Sequence, residues 1–171
     1  MCSVDKYSGF YNPGGNFFQR EAERMHEFYM RQALLLAREA AGAGEVPVGC
    51  VIVRDGVVVG RGRNRREEKQ SALSHAEVEA IAQANRALSS WRLEDCSLYV
   101  TLEPCPMCAG AILNARIRRV FFGARDRTMG ACGGVLNLYM EDFPNRPALV
   151  GGILEAECRG VLQDFFQAIR Q

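Results

Sequence analysis

The sequence contains no apolar run approaching the roughly 20 residues that cross a bilayer, and no basic flank followed by an apolar stretch of the kind a secretory signal needs. The first absence excludes a spanning helix, so no membrane partner is expected, and the second argues against export. Charge of one sign is also scarce. With a net charge of +1, the whole-molecule field cannot supply affinity for a polyanion, and attraction to nucleic acid has to come from local clusters. No internal repeat or low-complexity tract is visible. Seven cysteines are present, an odd number in a chain without a signal, which fits a reducing, cytoplasmic setting better than a disulfide framework. A cysteine with a special role is therefore expected to be a ligand or a nucleophile.

What is present fits one compact domain: 171 residues, 48% hydrophobic and 24% charged. Residues 1–20 read as a flexible arm, because Asn12, Pro13, Gly14, Gly15 and Asn16 favour turns. Residues 21–171 read as the domain. Ala22, Met25, Tyr29, Ala33, Leu36 and Ala40 recur at helical spacing, with Gly42 and Gly44 as the stop. Val46 to Val53 and Val57 to Gly62 are β-branched runs around Asp55-Gly56, a hairpin signature. A helix is expected to start near His75, a strand over Ser97 to Leu102, and a helix over Met107 to Ala115 entered through Pro104 and Pro106. Strands at Arg119 to Phe122 and Ala148 to Val150 precede a last helix with Leu154, Cys158, Val161, Leu162, Phe165 and Ile169 on its apolar face. The order predicts an α/β fold, a three-layer α/β/α sandwich with a mixed central sheet of about five strands.

Four residues carry chemistry. Cys105 and Cys108 form a Cys-x-x-Cys pair at a helix start, where exposed amides and the helix dipole favour thiolates. With His75 they make a three-ligand zinc site whose fourth position is left for water. Glu77, two residues on, is near enough in sequence to reach that water without binding the metal, the position a proton carrier needs. Each residue has a plainer reading. Ser74 and Glu77 also fit a Ser-x-x-Glu capping box, and the cysteines fit a redox pair. The four together with both flanking prolines favour the metal. Two basic clusters, five residues within Arg61 to Lys69 and five arginines within Arg116 to Arg127, are candidate phosphate contacts or solvated faces.

His75-Ala-Glu77 and Pro104-Cys-Pro-Met-Cys108 resemble the zinc signature of the cytidine and nucleobase deaminases. Glu45-Val-Pro-Val-Gly49, Ser74-His-Ala-Glu-Val78, Leu98 to Cys105, Met107-Cys-Ala-Gly110, Phe122-Gly-Ala-Arg-Asp126 and Asp164-Phe-Phe166 extend the likeness to the tRNA-specific adenosine deaminases, from about Glu23 to the C-terminus. That resemblance implies hydrolysis of the wobble adenosine of a tRNA anticodon stem-loop to inosine, one Zn2+ per subunit, and a homodimer. It implies that Asn64 hydrogen-bonds the flipped base, that the Ala76 backbone reads its edge, that Val46 and Pro47 line the pocket and that Asp126 contacts a neighbouring nucleotide. Arg65, Arg66, Arg125 and Arg127 lie beside these positions and are expected at phosphates; Phe165 and Phe166 are candidate stacking or core residues. A deaminase of a free base or nucleoside (guanine, cytosine or cytidine) shares the zinc signature. A non-catalytic zinc module would need Cys50, Cys96, Cys132 or Cys158 as a fourth ligand.

Overall fold

The computed structural model describes residues 17–170, with side chains from Arg20 onward. The elements run α1 (Phe17–Gly42), β1 (Gly49–Arg54), β2 (Val57–Arg63), α2 (Arg66–Lys69), α3 (Ala76–Leu88), β3 (Cys96–Leu102), α4 (Pro106–Asn114), β4 (Arg119–Ala124), β5 (Ala148–Gly151) and α5 (Glu155–Ala168), with a 3-10 turn at Leu138–Met140. The strand order is β2-β1-β3-β4-β5. β1 is antiparallel to β2 and β3, whereas β3, β4 and β5 run parallel, which makes the sheet mixed as expected.

Alternation along the strands decides the layers, because successive side chains leave opposite faces of a sheet. Cys50, Ile52, Leu98, Val100, Val120 and Phe122 enter one core with Ala76, Ala80 and Ala84 of α3 and Ala109 and Ile112 of α4. Val51, Val53, Tyr99 and Phe121 enter the other with Tyr29, Met30, Ala33 and Leu34 of α1 and Cys158 of α5. The result is the three-layer α/β/α sandwich. A one-residue slip of β1 would exchange its two buried sets, so the register is strongly specified.

α3 approaches the sheet closely because β2 carries glycines beneath it. A Cβ at Gly62 would lie 2.1 Å from the Ala76 carbonyl oxygen, and one at Gly60 2.4 Å from that of Ala80. The hairpin turn forms at Asp55 and Gly56, with φ of 49° and 78°, the positive values a two-residue turn demands.

Three expectations shift. α1 begins at Phe17, because no breaker separates Phe17 from Glu21, so the last four residues assigned to the arm are helical; the rest of the arm, residues 1–16, lies outside the described residues. β1 begins at Gly49 instead of Val46, since Pro47 lacks a ladder donor and the Val48 amide turns back to the Val46 carbonyl at 2.8 Å. The four-residue α2 between hairpin and α3 was not foreseen.

Candidate active site

His75 is the N-cap of α3, and Cys105 is the N-cap of α4 with Pro106 at the first helical position. Neither side chain makes a cap hydrogen bond, so the capping box between Ser74 and Glu77 is not formed. The reason is spatial: the chain turns into α3 at His75, one residue later than a Ser74 cap requires. The two helix starts converge, and their free amides create a positive end where thiolates are favoured.

The His75 Nδ1 atom lies 3.6 Å from Cys105 Sγ and 3.5 Å from Cys108 Sγ. Zinc bonds of roughly 2.0–2.1 Å to nitrogen and 2.3 Å to sulfur at a tetrahedral angle put those atoms about 3.6 Å apart. All three donor atoms fall within 4.8 Å of one another, and among the described residues no fourth His, Cys, Asp or Glu joins them. One imidazole and two thiols with an open fourth direction fit zinc and its open-site chemistry. Cys50, Cys96, Cys132 and Cys158 are buried elsewhere, which removes the fourth ligand of a closed module.

The Cys108 thiol donates to Cys105, which with His75 draws the Cys105 thiol down to about 4 against the opposing effect of burial. The same donation, with burial, pushes Cys108 up. His75 is raised, first by its hydrogen bond to Cys105. Glu77, 4% exposed on the first turn of α3, is pushed up to about 7, chiefly by burial. A carboxyl poised there both accepts and donates protons near neutrality.

These groups open onto a cavity of about 420 Å³, ample for a purine. Val46, Asn64, Arg66, Ala76 and Asp126 also line it, whereas Pro47, Arg65, Arg125, Arg127, Phe165 and Phe166 do not. Asn64 is 6% exposed and its side-chain Oδ1 has no partner, leaving an acceptor aimed at nothing in the protein. The Asp126 carboxylate is held low: burial raises it, but bonds from Thr128 and the Met129 amide outweigh that.

The basic clusters divide. Arg63 and Arg65 both pair with Glu68, and Lys69 pairs with Glu79. Arg116 and Arg118 pair with Glu94 before β4, while Arg125 and Arg127 follow it, so the run of five arginines is two patches at opposite ends of a strand. Phe165 and Phe166 meet edge to face with centroids 5.5 Å apart; neither is buried, and so neither is a core residue.

Residues 24–170 match the MafB19-like deaminase family. A tRNA-specific adenosine deaminase of Bacillus subtilis (strain 168) is 46% identical over 146 residues, covering 85% of this chain and 91% of that protein. The chain belongs to the tRNA-specific adenosine deaminases. A solved tRNA:A34 deaminase, from work on A-to-I editing at the wobble position of transfer RNA, superposes with a TM-score of 0.77 at 41% identity, over 79% of this chain and 99% of that one. A guanine deaminase from Bacillus subtilis is 40% identical, but matches only 67% of this chain and 73% of its own, with a TM-score of 0.57.

The deaminase cavity also contains residues that sequence reasoning missed: Val48, Ala72, Leu102, Glu103, Pro106, Met107 and Met129. Most flank a motif residue by one or two positions, and that adjacency was the available signal. Met129 had none, because it comes from an irregular loop.

Proposed function

We propose that the protein hydrolyses adenosine to inosine at the wobble position of a tRNA anticodon loop. The observation that carries this reading is a three-donor zinc-type group beside a buried acid of raised pKa, in a purine-sized cavity of a chain 46% identical to a tRNA-specific adenosine deaminase. Zinc held by His75, Cys105 and Cys108, one per subunit, would supply a water acidified to a pKa of about 7. Glu77 takes a proton from the attacking water and delivers it toward the ring nitrogen and the amino group, so that water adds, ammonia leaves and a carbonyl remains. Asn64 presents its free amide oxygen to the base, the Ala76 backbone reads the edge, and Val46 bounds the pocket. Asp126 meets a neighbouring nucleotide. Arg66 approaches phosphate, with Arg65, Arg125 and Arg127 contributing field, and Phe165 and Phe166 form an outlying stacking surface.

An anticodon loop suits a site without unwinding machinery, since its bases are already unpaired. The enzyme acts in the cytoplasm as a homodimer, a reading supported by the exposed apolar side chains of Met129, Val135, Leu136, Met140 and Phe143 in one segment. No helix of the described residues is long and apolar enough to cross a membrane. The decisive test is to sequence candidate tRNAs after incubation and look for adenosine read as guanosine at the wobble position. Ammonia released from guanine, cytosine or cytidine alone, with unchanged tRNA, would replace this reading with a free-base or nucleoside deaminase. Sedimentation that finds only monomer removes the dimer.

A further inference from the structure

Glu103 ends β3's excursion toward the metal group, two residues before Cys105, yet it neither joins the donor group nor carries protons in the scheme above. It lines the cavity and is 2% exposed. Its Oε1 accepts hydrogen bonds from the amides of Cys132 at 2.9 Å and Gly134 at 2.8 Å, and its Oε2 accepts one from the amide of Asp126 at 3.0 Å. Three donors from an irregular segment thus converge on one buried carboxylate, the strong charge-assisted kind of bond.

The segment is shaped to that carboxylate. A Cβ at Gly134 would lie 2.6 Å from Oε2, and one at Gly130 2.7 Å from Oε1, so the loop passes as close as backbone allows. Asp126 relays the constraint: its Oδ1 accepts from the Thr128 amide at 2.8 Å, the Thr128 hydroxyl at 2.6 Å and the Met129 amide at 3.1 Å. Its Oδ2 has no hydrogen bond among the described residues. Asp126 and Met129 both line the cavity.

We propose that Glu103 is a positioning residue that fixes the substrate-facing edge of the cavity by clamping the Asp126 amide, so that the free Asp126 oxygen meets a substrate hydrogen-bond donor. This rests on the reading that the substrate extends beyond the reacting base. Glu103 touches no reacting atom; it acts through Asp126.

Glu103→Gln tests the proposal. Its amide oxygen can keep the bonds from Cys132 and Gly134, which turns the NH2 group against the Asp126 amide and releases that corner alone. Zinc content is expected to stay at one per chain. KM for an anticodon stem-loop should rise about tenfold while kcat falls less than about threefold. In an Asp126→Ala background the same change should add under about twofold, because both substitutions remove one device. Hydrogen exchange at the Asp126 amide should accelerate. Multiplicative losses in the double variant, a fall in kcat with KM unmoved, or loss of zinc would overturn the proposal.

If Glu103→Gln does not fold, Gly134→Ala presses on the same corner from the other side, its Cβ lying 2.0 Å from the Asp126 carbonyl oxygen. It should reproduce the KM-weighted loss, and a wild-type KM there counts against the clamp. If the wild-type protein makes no inosine in the stem-loop, the substrate reading fails. Faster exchange at the Asp126 amide in Glu103→Gln with zinc retained would still support the clamp, and unchanged exchange would reject it.

Discussion

The floor of the cavity is carried by two helix starts seated on the sheet, whereas its rim is carried by loops whose backbone amides converge on buried carboxylates. On the floor, Gly62 lets Ala76 press against β2, and His75 and Glu77 inherit that position. On the rim, Glu103 gathers three amides of the 126–134 loop, and the 1%-exposed Glu45, one residue before the cavity-lining Val46, takes the Glu68 amide of α2 at 2.8 Å. The floor is therefore coupled to the cores, and a change there reaches the chemistry. The rim is coupled to single side chains, and a change there should alter which substrate is held and how tightly.

The largest effect should come from the floor's ligands. Cys105→Ala or Cys108→Ala should release zinc, abolish turnover and lower thermal stability, as checked by elemental analysis and calorimetry. Glu77→Ala should keep zinc yet lose at least about 10²-fold in rate. If that variant lost zinc while His75→Ala kept it, ligand and proton carrier would have to be exchanged.

Gly62→Val attacks the seating without touching the chemistry. The new side chain would have to displace Ala76, costing about 1–3 kcal/mol by chemical denaturation, and kcat should drop about tenfold or more as His75 and Glu77 move together. Unchanged kcat at reduced stability would mean that the floor does not depend on that contact. The smallest effect should be on the rim's charge. Arg66→Ala should lower the salt slope of RNA binding by about 1, whereas Arg65→Ala, whose guanidinium already serves Glu68, should change it less.

The floor was legible in the sequence and the rim largely was not, for a physical reason. A helix start announces itself locally: proline at the first position, a short polar residue before it and apolar periodicity after. His75, Glu77, Cys105 and Cys108 stand inside such signals, and Asp55-Gly56 marks its hairpin equally well. Glu103 spends its carboxylate on amides 23 to 31 residues downstream, in a segment without periodicity, so its place two residues before Cys105 marks it as near the site without revealing the work. The arginines misled for a related reason. Their number is visible, but whether a guanidinium is free depends on where the fold brings Glu68 and Glu94. Only Arg66 among those expected at phosphate lines the cavity.

The uncapped starts of α3 and α4 carry a last consequence. A side-chain cap stabilises a helix by about 1 kcal/mol, and α3 and α4 both begin without one because the capping positions are given over to His75 and Cys105. An ion bound there would tie together two helix starts 30 residues apart in the chain, closing a loop as a cross-link does. Chelation should therefore be felt in folding cooperativity as well as in lost chemistry: both helix starts loosening together, with accelerated amide exchange from Ala76 to Glu79 and from Met107 to Ala109.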